Sequence, residues 1–581
     1  MFLRLALTVL LPVLFFVTCK QNTPTHAISL EDKIIKKAIA QKAGIASAHP
    51  LASQIGLEIL KNGGNAIDAA IATQFALAVC YPVAGNIGGG GFMVIRMADG
   101  TADALDFREM APSAAHKDLY LDSDGNVIKG LSTYGHMASG VPGSVAGMIA
   151  AFDKYSKLKD WSALLQPSIQ LAAEGVELTT REARMLNNYK ERFVKANTRP
   201  IRFTQATDWQ QGDILKQPEL AKVLTAVSQE GFDGFYDGWV ADSIVAEMER
   251  GEGIISHEDL SNYKAKWRKP LIGDYKNHTI ISMPPPSSGG IALQQLLGSI
   301  EPYDIGSYGF HTPEAVHLMI EAERRVYADR ATHLGDSDYY DVPLQGLIQD
   351  VYNQDRMSSF DPNAASVSDD IKAGTPAPNE SEETTHFSIV DEYGNAVSVT
   401  TTINTGYGSK VVVGGAGFFL NNEMDDFSAK PGVPNFFGLI GNEANSIQPG
   451  KRMLSSMTPT IVADNNDELM IVVGTPGGST IITSVFQTIV NIIDFGMDAT
   501  DATQSCRFHH QWLPDMTFYE PDCFATPLMD TLTAMGHKLQ SRAELTGGNG
   551  LIGKIETILV RDDGTLEVAA DRRADDTALG Y

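Results

Sequence analysis

Cysteine is scarce in this chain: four in 581 residues, with no C-x-x-C pair among them. Zinc is therefore not indicated. Positive charge is also short, with 45 Lys and Arg against 71 Asp and Glu and a net charge of −26. No basic cluster overrides that balance, which argues against a general nucleic-acid-binding surface. The run Gly88-Gly89-Gly90-Gly91 has no Gly-Lys-Ser/Thr after it and no strand before it. It reads as close backbone packing or a tight turn rather than a phosphate loop. The apolar run Leu5 to Val17 is too short to span a bilayer comfortably, and there is no internal repeat. What remains is ordinary globular composition, 43% hydrophobic and 20% charged, long enough for a large core or several domains.

The N-terminus has the form of an export signal. Arg4 precedes the apolar run, which ends Phe16-Val17-Thr18-Cys19, and Gln21 to Ala27 is a polar tether. A cysteine at that place resembles a bacterial lipoprotein signal, although Phe16 and Thr18 depart from its usual pattern. Export is the expectation, and lipidation at Cys19 stays open. Cys80, Cys506 and Cys523 remain. The separation of Cys506 and Cys523 cannot by itself show a bridge, so buried free thiols are expected.

The stretch from Glu382 to Asn404 carries the chemistry. Two β-branched, apolar runs flank a turn at Gly394 and Asn395, which predicts a hairpin. Pairing Val390 with Ala396 across a five-residue loop sets Thr384 opposite Thr402. Side chains alternate along a strand, so Thr402 and Asn404 are expected to project alike. A threonine hydroxyl needs a base beside it to attack a carbonyl. If the bond before Thr384 is cut, the new α-amine can serve, since its pKa of about 7.7–8.0 suits neutral pH. The preceding run, Asp361 to Glu383, is rich in Pro, Ala, Ser, Asn and acids and lacks periodicity. It reads as a flexible connection. The alternative is an ordinary hairpin after an ordinary linker.

Elsewhere, Ala66 to Val79 predicts a helix buried on all sides. A second hairpin, Phe92–Met97 with Thr101–Phe107, ends at Arg108-Glu109; an arginine there is commonly an ion-pair partner, and it is also the preferred fork for a carboxylate. Ser144 to about Ala265 reads as mostly helical, and Pro284 to Gly290 breaks that pattern. A helix then opens at Thr312-Pro313 and runs to about His333. The region from Gly417 is expected to be strand-rich, with Lys430 to Asn442 a loop long enough to act as a lid. Leu469 to Val473 reads as a buried strand. It meets a helix from about Thr480 to Ile493 through Gly474-Thr475-Pro476-Gly477-Gly478-Ser479. Gly477 and Gly478 there either offer N–H groups to an oxyanion or simply make a tight turn. His509 and His510 are adjacent in a strand and point apart, which favours a structural role over a metal site.

Leu105 to Pro112, Pro284 to Gly290, Thr384 to Ser388, Thr402-Ile403-Asn404, Asn421 to Pro434, Leu454 to Met457, Gly474 to Ser479 and Arg507 to Pro514 together resemble the γ-glutamyltransferase (γ-glutamyl transpeptidase) family. The likeness runs from about Gly44 to Tyr581. It implies an α/β fold, a four-layer αββα N-terminal-nucleophile hydrolase, without cofactor or metal. With the signal read over residues 1–19 and a tether and start of the mature chain over 20–43, it implies a large subunit over 44–383 and a small subunit over 384–581. The subunits would arise by self-cleavage between Glu383 and Thr384 and stay associated. Thr384 is then the nucleophile toward glutathione and related γ-glutamyl amides, with water, an amino acid or a peptide as acceptor. Thr402 holds the nucleophile, and Gly477 and Gly478 form the oxyanion hole. Arg108, Ser455 and Ser456 bind the α-carboxylate. Asn404, Glu423 and Asp426 bind the α-ammonium. Phe437 stands where many bacterial members carry Tyr, and phenylalanine has no hydroxyl to make a gating hydrogen bond there. Some relatives are cephalosporin or glutaryl acylases, and that activity is the alternative.

Overall fold

The computed structural model describes residues 29–374, 385–430, 432–436, 438–439, 443–546 and 548–581. Thr384, Glu383, Cys19 and Phe437, together with the export signal, lie outside the described residues. Two antiparallel seven-stranded sheets face one another. The first runs Thr577–Gly580, Gly44–Ser47, Thr385–Val390, Ala396–Thr402, Gly90–Arg96, Ala102–Asp106, Lys266–Arg268. The second runs Lys37–Ala40, Leu566–Ala570, Glu556–Val560, Leu469–Gly474, Thr460–Ala463, His278–Ser282, Leu271–Tyr275. Its edge strand Lys37–Ala40 falls within the stretch expected as tether and start of the mature chain.

The central hairpin has the register its sequence sets. Val390 pairs with Ala396, and the ladder continues to Thr385 opposite Thr401. Asp391 makes the turn, its Oδ1 accepting the amides of Tyr393 and Asn395, both at 2.9 Å. Gly394 supplies the left-handed residue at φ +89°.

Period-two alternation then sorts the side chains between two different environments. Phe387, Ile389, Val397 and Val399 join the core formed with helices Pro50–Lys61 and Ala66–Cys80. Each such aromatic or aliphatic anchor contributes roughly 2–5 kcal/mol against truncation to alanine. The opposite face carries Ser388 and Ser398. Their hydroxyls donate across the sandwich to the carbonyls of Glu556 (3.0 Å) and Val473 (3.1 Å). Helices Gly289–Ile300, Pro313–His333 and Thr480–Ile493 cover the second sheet's outer face, completing the αββα layers. Helix Ala66–Cys80 is buried along its whole length, as predicted, and is capped by Asn65. Thr312 caps Pro313–His333 by accepting from Ala315 N at 3.3 Å.

Three expectations need correction. Cys506 and Cys523 are bridged, and the buried Cys80 is free. Strands Phe508–His510 and Thr517–Tyr519 pair antiparallel, and next to them Glu520 N donates to Arg507 O at 3.1 Å while the Glu520 side chain accepts from Arg507 N through Oε2 at 3.0 Å. That chain reversal brings the two cysteines to a Cα separation of 5.4 Å. Second, among the described residues the region from Gly417 forms no strand before Thr460. Phe419 makes a single bridge to Val412, and Glu423–Asp426 is a short 3-10 helix. Third, the connection from Asp361 is pinned as far as Gly374. Ala365 N donates to Met535 O (2.7 Å), Ser366 N to Glu321 Oε1 (3.1 Å) and Gly374 N to Asp329 Oδ1 (2.8 Å).

Candidate active site

The end of the central hairpin is where the expected site residues meet. Thr402 closes strand Ala396–Thr402, fully buried, and pairs with Gly90. The glycine run is needed here: a Cβ on Gly89 would come within 2.0 Å of the Thr402 carbonyl oxygen. Asn404 does not project from an extended strand as expected. The strand stops at Thr402, and Asn404 takes a left-handed φ of +65°. That turn lets Asn404 N donate to Thr402 Oγ1 at 2.7 Å. Asn404 Nδ2 donates to Asn422 O at 2.9 Å, while its buried Oδ1 has no hydrogen-bond partner among the described residues.

Arg108 lies two residues beyond strand Ala102–Asp106 and is fully buried. It ion-pairs with Glu423 and Asp426, and Glu109 Oε2 is 3.6 Å away. Its Nε also donates to Met453 O (3.2 Å) and its Nη2 to Leu454 O (3.0 Å). Asn421 anchors the acidic turn. Its Oδ1 accepts from Glu423 N at 3.0 Å, and its Nδ2 donates to the carbonyls of Gly88 (2.9 Å) and Gly140 (2.8 Å).

One guanidinium among buried acids unbalances their titration. Burial pushes the Glu109 carboxyl up to about 8, with Arg108 opposing. Burial also holds Asp426 well above the usual carboxylate range despite Arg108. For Arg108, burial works against the charge, but Glu423 and Asp426 outweigh it and keep the guanidinium protonated.

The serine pair sits against the Pro284–Gly290 turn. Ser455 N donates to Pro286 O at 2.9 Å, and its Oγ accepts from Met457 N at 3.1 Å. Ser456 Oγ accepts from Arg330, a buried residue on helix Pro313–His333. Sequence reading missed Arg330. The only signal was a charged residue recurring in a helix that ends near the serine loop.

Between strand Leu469–Gly474 and helix Thr480–Ile493, Gly477 (φ +150°) and Gly478 (φ +64°) take backbone conformations that favour glycine. Their carbonyls accept from Thr480 N (3.3 Å) and Ile481 N (3.0 Å). Their own N–H groups meet no acceptor among the described residues. Beneath this turn lies His386, whose Nδ1 is 2.9 Å from Thr400 Oγ1 and Nε2 3.0 Å from Ser388 Oγ. Burial pulls its pKa down to about 3, so it is neutral.

A cavity of about 390 Å³ adjoins Asp426 and is lined by Ser132, Asp425, Phe427, Asn435 and Phe436, among others. Phe436 N donates to Asp425 Oδ2 at 3.2 Å, tying the described part of the expected lid to the acidic turn. Larger clefts of about 480 and 790 Å³ contain none of the expected site residues. The second of these lies by the Asp391–Gly394 turn, at the opposite end of the hairpin from Thr402. Convergent chemistry rather than volume locates the site. His509 and His510 diverge as expected, His509 to Thr483 Oγ1 at 2.9 Å and His510 toward Asp515 at 3.6 Å.

Comparison with known proteins agrees with this geometry. The family model described as gamma-glutamyltranspeptidase matches residues 52–581. The glutathione hydrolase proenzyme of Escherichia coli K12 is 44% identical over 561 residues, 96% of this chain and 95% of that protein. That of Pseudomonas sp. strain A14 is 47% identical over 501 residues, 86% and 87% of the two chains. Among solved structures, a cephalosporin acylase from Bacillus halodurans superposes with a TM-score of 0.82 at 25% identity, covering 98% of this chain and 99% of its own. The match spans the strands, the acidic turn, the serine pair and the glycine turn alike, and on it the chain belongs to the γ-glutamyltranspeptidase family and has its N-terminal-nucleophile hydrolase fold.

Proposed function

We propose that this protein hydrolyses glutathione and related γ-glutamyl amides and transfers their γ-glutamyl group, after cutting its own chain between Glu383 and Thr384. The observation that carries the reading is the buried set of one guanidinium, Arg108, with Glu423 and Asp426, beside the hydroxyls of Ser455 and Ser456. A γ-glutamyl group ends in one carboxylate and one ammonium on the same carbon, and this set complements both. The α-carboxylate takes Arg108 and the two serines. The α-ammonium takes Asp426, Glu423 and the Asn404 Oδ1 that lacks a partner among the described residues. Substrate thus enters an ion-pair network already assembled, exchanging partners rather than creating unpaired charge.

The reaction follows from the positions proposed. Thr384 Oγ attacks the γ-carbonyl, and its proton passes to the α-amine of the same residue. Thr402 holds the attacking hydroxyl. The amides of Gly477 and Gly478 stabilise the oxyanion, a contribution of about 3–4 kcal/mol per donor in comparable sites. The α-amine then protonates the departing amine, leaving a γ-glutamyl ester on Thr384. Water or an acceptor amine attacks that ester and restores the hydroxyl. We further assign large and small subunits to residues on either side of the cut, and export from the cytoplasm with Cys19 as a candidate lipid tether.

The test is release of p-nitroaniline from γ-glutamyl-p-nitroanilide, with and without glycylglycine. Wild type should show two chains on a denaturing gel, the smaller beginning Thr-Thr-His, and turn the substrate over. Thr384→Ala should remain one inactive chain, and cleavage at the same bond in that variant would assign the cut to an outside protease. The likeness to a cephalosporin acylase supports a second reading, glutaryl transfer by the same machinery. Preference for glutaryl over γ-glutamyl amides would establish it.

A further inference from the structure

Helix Pro313–His333 presents two side chains of one face to the site, spaced i and i+3. Arg330 is 1% exposed, its Nη2 donating to Ser456 Oγ and its Nε to Ser288 Oγ at 3.2 Å. Tyr327 lies under the guanidinium, 5.5 Å from ring centroid to Cζ, and its hydroxyl donates to the carbonyl of Ser479, next to the glycine turn. Ser288 in turn grips the serine pair, its N and Oγ donating to Ser455 O at 2.6 and 2.8 Å.

The polarity of these bonds is fixed by chemistry. A guanidinium has donors and no acceptor, so Ser456 Oγ accepts from Arg330. Its single proton must then go to another group. The Ser455 oxygen already accepts from Met457 N, which directs its proton elsewhere too. Both hydroxyls thus have an acceptor role filled by the protein and protons to give, the polarity a carboxylate requires. Arg108 binds the carbonyls of Met453 and Leu454, so Ser455-Ser456 lies between two buried guanidiniums.

Building on the γ-glutamyl reading above, we propose that Arg330 is a positioning residue for α-carboxylate recognition. It orients the Ser456 hydroxyl as a donor and sets a second positive charge one hydroxyl away from the bound carboxylate. Ligands with an α-amino-acid head group benefit, and ligands lacking the α-carboxylate do not.

The test is competitive inhibition of γ-glutamyl-p-nitroanilide turnover by L-glutamate and by 4-aminobutyrate, which keeps the ammonium and lacks the α-carboxylate. In two-chain Arg330→Lys enzyme the inhibition constant for L-glutamate should rise about tenfold, as for loss of one charge-assisted hydrogen bond, with that for 4-aminobutyrate unchanged. Ser288→Ala, which loosens the same guanidinium through Nε, should shift the same ratio a few-fold and serves if Arg330→Lys does not mature. In a Ser456→Ala background, Arg330→Lys should add less than about twofold, because its path runs through that hydroxyl. Equal weakening of both inhibitors, or full additivity with Ser456→Ala, overturns the role of Arg330 alone. A wild type inert toward γ-glutamyl amides overturns the functional reading and this proposal with it.

Discussion

Arg108 and Asp426 come from distant parts of the chain, 318 residues apart, and meet as a fully buried ion pair. Glu423 takes the other guanidinium nitrogen, so both arms of the fork are engaged. Arg108→Lys keeps the charge and loses the planar fork. We expect kcat/KM for γ-glutamyl-p-nitroanilide to fall about tenfold to a hundredfold, from roughly 1.5–3 kcal/mol per charged hydrogen bond. Asp426→Asn should cost a similar factor with γ-glutamyl amides and little with glutaryl amides, which carry the carboxylate and lack the ammonium. Equal losses on both substrates would remove Asp426 from ammonium recognition.

Thr402 and Asn404 form a second linked pair. Thr402→Val preserves shape but strands the Asn404 amide that donates to the hydroxyl at 2.7 Å. Such a buried unsatisfied donor costs about 1–3 kcal/mol. Steady-state rates should drop at least about tenfold while Thr402→Ser stays near wild type. A Thr402→Val enzyme of normal rate would show that the hydroxyl does not hold the nucleophile.

His386 sets a sign for pH dependence. Its folded pKa, lowered by burial to about 3, lies below the ordinary value of 6.5. The neutral form is therefore favoured on folding. The resulting stability is fully present above about pH 6.5 and is lost as pH falls toward 3. His386→Gln removes this dependence. The stability gap between wild type and variant should be widest near neutral pH and close by up to about 1.4 kcal/mol per pH unit below it. Urea unfolding midpoints from pH 7.5 to 4 measure that gap, and a gap that widens with acid would refute the assignment.

The Cys506–Cys523 bridge closes a short loop, with a sequence separation of 17. Chain-entropy reasoning puts its contribution near 3 kcal/mol. The double Cys→Ala variant should mature and turn over substrate at 25 °C but inactivate at lower temperature. Reductant should lower the wild-type inactivation temperature and leave the variant's unchanged.

Local chemistry was legible in the sequence by itself. The Gly394 turn and its flanking β-branched runs set the hairpin register, because a slip of one residue would put Phe387 and Ile389 on the wrong face. The uniformly apolar run from Ala66, the Thr312-Pro313 start and the Gly477-Gly478 junction were readable for the same reason: each depends on residues within a few positions of one another. The pairing of Arg108 with Glu423 and Asp426, the hydrogen bond from Arg330 to Ser456 and the closure of Cys506 on Cys523 were decided only by tertiary structure. They join residues from separate elements, and nothing in residue spacing encodes which face of one layer meets which edge of another. The left-handed turn at Asn404 belongs with them. An extended strand was the local preference, and the packing of Thr402 against Gly89, with Asn404 held by Asn422, overrode it.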